Sequence, residues 1–107
     1  MKSLDIAALR KAVRKGRIEW RKHALQRLAE RGIPQKDVWE VLQSGERIED
    51  YPDDTPYPSA LFLGFVAYKP LHAVAAFDKI NQISYIITAY EPSLEVFEKD
   101  YKTRRNP

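Results

Sequence analysis

A chain of 107 residues, 44% hydrophobic and 11% aromatic, has the size of one domain and enough apolar material for one core. It contains no cysteine, which excludes disulfides, cysteine-ligated zinc and thiol catalysis. Net charge is only +3, but residues 1–36 hold eleven Lys and Arg against three acidic residues, a local +8, while the remainder carries seven against twelve, −5. A basic half beside an acidic half sets up a positive field that draws polyphosphate, so nucleic acid is the expected partner, although solvated helix faces produce the same count.

The opening residues, MKSLDIAALRKAV, alternate charge with apolar side chains and lack a signal-peptide core, and no stretch approaches ~20 apolar residues. The expectation is a cytoplasmic protein with no membrane partner. Residues 3–14 read as an amphipathic helix capped by Ser3, carrying Ile6, Leu9, Ala12 and Val13 and ended by Gly16. After a short extended IEW (18–20), KHALQRLAER (22–31) forms a second helix with Ala24, Leu25, Leu28 and Ala29 on the buried arc and Gly32 as its stop. Pro34 starts a third, with Val38, Trp39, Val41 and Leu42 as its buried stripe and Gly45 as its exit.

From residue 46 the period becomes extended. ERIEDY, ALFLGFVAY, LHAVAAFDK and ISYIITAY read as four strands, with Pro70 and Asn81 marking hairpin turns and residues 52–58 as the most mobile internal connection. Pro92 closes the last strand, and SLEVFEKDY (93–101) reads as a final helical turn or two before a basic tail. The expected architecture is a single α+β domain over 1–107, its N-terminal helices packed on one face of a small, mostly antiparallel four-stranded sheet.

On the second helix His23, Arg27 and Arg31 are spaced i, i+4, i+8 and fall within about 80° of one another, forming one polar stripe. An imidazole titrates near neutral pH and a guanidinium forks onto phosphate oxygens, so the stripe supplies a proton-transfer group and two anion clamps for metal-free phosphodiester cleavage. A solvated helix face accounts for the same pattern. On the last strand, alternation puts Ser84, Ile86, Thr88 and Tyr90 on one face and Tyr85, Ile87 and Ala89 on the other. A phenol at a strand end can stack on a base, but Tyr in strands also serves packing. His72, facing with Val74 and Ala76, reads as structural. No metal and no cofactor are expected: the two histidines lack ligand spacing, Glu49, Asp50, Asp53 and Asp54 read as a solvated turn, and the four glycines are dispersed.

The string HALQRLAERGIPQKDVWEVLQSGERIEDY, continuing through LFLGFVAYKPLHAVAAF to IITAYEPS, resembles an uncharacterised bacterial domain family grouped with RelE- and ParE-like toxins. The likeness spans roughly residues 18–98. It implies a RelE-like fold and, by kinship, an RNA-cleaving toxin of a toxin–antitoxin system, paired with an antitoxin that often carries a small zinc-finger domain. His23, Arg27 and Arg31 correspond to the family's helix motif, and Thr88 and Tyr90 to its strand motif. On that reading His23 is base or acid, Arg27 and Arg31 stabilise the transition state, Tyr90 orients the substrate and Thr88 contacts it. Arg104 and Arg105, beyond the well-matched region, are assigned to substrate from charge alone. The alternatives are a non-catalytic module binding nucleic acid or protein, and a ParE-type toxin inhibiting a protein target.

Overall fold

The first helix, α1 (Ile6–Arg14), begins after Asp5, whose Oδ1 accepts the Ala8 N–H at 3.0 Å. Asp5 rather than Ser3 is thus the cap, and its carboxylate also complements the positive end of the helix dipole. The computed structural model describes residues 3–106. A short strand, β1 (Ile18–Trp20), leads into α2 (Lys22–Arg31), which ends at Gly32 in the left-handed conformation, φ 66°. Only Ala24 and Leu28 of α2 are buried; Leu25 and Ala29 face solvent, because a helix lying along one strand hides a narrower stripe than the one expected. In α3 (Gln35–Ser44) the buried stripe is Val38, Val41 and Leu42. Trp39, about 100° round from Val38, is 41% exposed instead of buried.

Gly45 ends α3 in extended, not left-handed, backbone. The carbonyls at that end are satisfied from α1: Arg10 Nε donates to Leu42 O at 2.9 Å, and the same guanidinium donates to Gly45 O. Gln43 Nε2 returns a bond to Arg10 O at 3.0 Å, so α1 acts as the C-cap of α3.

Four longer strands follow: β2 (Glu46–Tyr51), β3 (Ser59–Val66), β4 (Lys69–Asp78) and β5 (Ile83–Tyr90). The sheet is five-stranded and mixed, in the order β1-β5-β4-β3-β2, with β1 parallel to β5 and the other pairs antiparallel. This corrects the expected four strands. Three residues are too few to show alternation, and the partner of β1 lies near the other end of the chain. The β3–β4 turn falls at Ala67 and Tyr68, φ 50° and 68°, while Pro70 sits inside β4 opposite Phe65. Residues 93–101 form turns rather than a helix, closed by a bridge between Phe97 and Arg104.

Two bulges set which side chains face where. In β5 the register shifts so that Thr88 pairs with Val74 but Ile86 with Ala75, leaving Ile87 as the extra residue. Ala89 therefore joins Ile86 in the core, and Thr88 and Tyr90 share the opposite face with Tyr85, not with Ser84 and Ile86 as strict alternation requires. A second shift, at Ile48 in β2, places Glu49 and Tyr51 opposite Leu61 and Ser59, on that same face. The helices cover the other face, where Leu9, Val13, Leu28, Val38, Leu42, Phe62, Phe77 and Ile86 form the main core. Among the described residues, no helix is long and apolar enough to cross a membrane.

Candidate nucleic-acid interface

α2 rests on β5, so its polar stripe borders the helix-free face of the sheet. At its C-terminal end Arg31 donates to Thr88 Oγ1 at 3.2 Å and to Ala89 O at 2.8 Å. Arg31, Ile33, Tyr90 and Glu91 line a hollow of about 320 Å³. The structure thus brings together three of the sequence-derived residues, Arg31, Thr88 and Tyr90. His23 lies at the other end of the helix, eight residues and roughly 12 Å of axial rise away. It lines a separate cleft of about 370 Å³ with Arg21, Tyr57, Tyr85 and Ile87. Arg27 stands between them, exposed and paired only loosely with Glu30 at 3.5 Å.

The His23 cleft is built from four parts of the chain. Tyr57, from the connection after β2, lies parallel to Tyr85 of β5, ring centroids 5.4 Å apart at 6°. Arg21, at the start of α2, places its guanidinium carbon 4.8 Å from the centre of the Tyr85 ring. The connection is held in place by Asp54, which accepts the Ser59 hydroxyl at 2.7 Å. Burial, followed by the negative charge of Asp78, raises the Tyr57 hydroxyl above the ordinary tyrosine range. Neither Tyr57, in the Pro-rich connection, nor Tyr85, inside β5, stands out in sequence, and only the tertiary fold brings them together.

A second group of polar residues occupies the middle of the helix-free face. His72 is fully buried, its Nε2 donating to Tyr101 O at 2.7 Å, since a carbonyl can only accept. That leaves Nδ1 as acceptor for the Tyr90 hydroxyl, at a long 3.4 Å. Phe97 packs edge-on against the His72 ring at 4.7 Å. Glu49 receives the Tyr51 hydroxyl and a two-armed contact from Arg104, at 2.9 and 3.2 Å. Burial pushes the Glu49 carboxyl up, but the bonds from Arg104 and Tyr51 and the Arg104 charge outweigh it and leave it lowered. Tyr51 is pushed up to about 12 by burial and then by its bond to Glu49. Arg105 donates to Glu98 at 3.0 Å and to Leu94 O. Of the two arginines assigned to substrate from charge, Arg104 ties the C-terminal segment to β2 through Glu49, and Arg105 braces that segment internally.

Burial lowers the His72 pKa, against a smaller raising effect of the Tyr101 carbonyl and Glu49. A histidine lowered in the folded state costs stability when it is protonated. The contribution is complete above the unfolded value of about 6.5 and falls as pH drops below it. We expect urea unfolding at pH 7.5 and 5.5 to show this loss, and His72→Gln to flatten it. Equal losses in both proteins would assign the pH dependence to other groups.

Among the described residues no three His, Asp or Glu side chains gather as a metal site. The family described as Domain of unknown function (DUF4258) matches residues 20–91, from Trp20 in β1 to Glu91 just past β5. No curated protein and no solved structure matches the chain. The matched span takes in the α2 stripe, the Tyr57–Tyr85 pair and Tyr90, and leaves out α1, Arg104 and Arg105; over it, the chain belongs to the DUF4258 domain family.

Proposed function

We propose that this protein is a metal-independent endoribonuclease, acting as the toxin of a toxin–antitoxin pair, and that single-stranded RNA lies along the edge formed by α2 and β5. The observation that carries the reading is His23 in a cleft with Arg21, on a helix whose next two turns carry Arg27, exposed, and Arg31, bonded to β5. Arg17 extends the line: its carbonyl accepts from Ser84 N, and with Lys11 and Lys15 it borders a further hollow. RNA supplies its own nucleophile. The 2′-oxygen bonds to phosphorus as the bond to the 5′-oxygen breaks, giving a 2′,3′-cyclic phosphate and a free 5′-hydroxyl. His23 takes the 2′ proton while water protonates the departing 5′-oxygen, or the two exchange these roles, and the guanidiniums neutralise charge that grows on the phosphoryl oxygens. Tyr90, beside Arg31, orients the strand.

RNA binding is expected to weaken steeply between ~50 and ~200 mM salt, since phosphate contacts release counterions. Cleavage of a mixed RNA pool is expected to persist in EDTA. Salt-indifferent affinity would sink the basic-edge reading; binding without cleavage would leave a non-catalytic module. Expression alone is expected to arrest bacterial growth, and co-expression of an antitoxin to relieve it.

A further inference from the structure

We infer that the cleft between Arg21, Tyr57 and Tyr85 is a base-binding slot that takes one unpaired nucleotide of an RNA strand. The inference deepens the ribonuclease reading and rests on it for the identity of the strand. Its evidence is the kind of surface gathered there. Two tyrosine rings lie parallel at 5.4 Å between centroids, an offset that leaves part of each face uncovered, and both are half-buried rather than enclosed. The Arg21 guanidinium adds a third flat surface over Tyr85. Ala76, Pro56 and Ile87 supply apolar lining, and His23, Asp54 and Thr55 the polar lining.

Offset-stacked and edge-on pairs both serve ordinary packing, and the pair of His72 and Phe97 is shut away from water, whereas Tyr57 and Tyr85 stay partly exposed beside a cleft. A part-exposed stacked pair in an open cleft, with the Arg21 cation against Tyr85 and the Asp54 carboxylate engaged by Ser59, suits a flat, apolar-faced ligand attached to an anion. A nucleotide is such a ligand: its base stacks on the rings and its phosphate meets Arg21. A duplex cannot offer that face without unstacking, so the slot selects single strands. A base seated there puts its own ribose next to His23, so the slot would also set the position of the cut.

The test compares wild type, Tyr85→Leu, Tyr57→Leu and the matching Phe variants, each checked for folding by circular dichroism. The probes are a single-stranded RNA, its duplex, an abasic oligomer of the same length, and adenosine monophosphate followed through the tyrosine ring signals in NMR. Loss of one base–aromatic stack is expected to cost about 5- to 150-fold in affinity for single-stranded RNA. The Phe variants are expected to keep it, and the abasic oligomer and the duplex to bind more weakly than the single strand. Abasic binding equal to RNA, or full affinity in folded Leu variants, would overturn the slot and leave the basic edge standing. Nucleotide shifts at Tyr57 and Tyr85 without binding of RNA would support the slot and overturn the ribonuclease reading. Binding of neither would overturn both.

Discussion

RNA cleavage is expected to fall ~10²- to 10⁴-fold in His23→Ala, the cost of losing a positioned general acid or base, while RNA affinity changes little. The separation follows from charge. Affinity along α2 comes from Lys and Arg through phosphate contacts, to which one imidazole adds little. His23 is exposed, so its removal leaves the core of Ala24 and Leu28 beneath it intact. Arg27→Ala is expected to reduce binding and cleavage together, because a guanidinium attracts phosphate before and during the reaction, and to lower the salt slope by about one. Arg27 is a cleaner probe than Arg31, whose loss also removes the bonds to Thr88 Oγ1 and Ala89 O that tie α2 to β5. The measurement is single-turnover cleavage in EDTA beside anisotropy on the same RNA. Equal cutting by wild type and folded His23→Ala would show that the histidine is structural and the mechanism wrong.

Gly45→Ala is expected to destabilise the fold by about 1–3 kcal/mol, a fall in Tm of roughly 5–20 °C for a domain near this size. The reason is contact, not conformation, since Gly45 has φ −77°, which any residue adopts. A Cβ there would lie 2.4 Å from Val41 O and 2.7 Å from Leu63 O, both backbone atoms of packed elements. Relief requires α3 and β3 to part, which also displaces the Gly45 carbonyl from Arg10 and loosens α1 from α3. Gly64→Ala is the internal comparison. Its Cβ would meet Val41 Cγ2 at 2.8 Å and the Val41 Cα at 3.3 Å, both longer than the 2.4 Å contact with backbone oxygen at Gly45, so the smaller loss is expected there. Thermal melts of the two variants that coincide with wild type would show that α3 and β3 approach less closely than described.

The local pattern of the chain was legible without its fold. Periodicity and glycine stops located α1, α2 and α3, and alternation located the four longer strands, because each of those signals is carried by neighbours in sequence. The helix stripe of His23, Arg27 and Arg31 was legible for the same reason. What belonged to pairing was not. IEW (18–20) read as extended, but its place in the sheet parallel to β5 did not show, and the bulge at Ile87 moved Thr88 and Tyr90 to the face of Tyr85 although no residue there announces it. Tyr57 and Tyr85 meet across 28 residues of chain, and Glu49 meets Arg104 across 55. His23 and Tyr90, joined in a single site by sequence reasoning, occupy two hollows at opposite ends of one helix.

From sequence alone came the α+β class, the missing cysteine chemistry, the basic half and the polar stripe on α2, all of them properties of composition and short-range period. The tertiary structure alone decided which side chains share a cleft, that Arg104 and the Tyr101 carbonyl hold the tail to Glu49 and His72, and which face of β5 carries Tyr90. Register and packing are set by contacts between distant segments, and a one-residue shift in a strand exchanges its faces while leaving its local pattern unchanged.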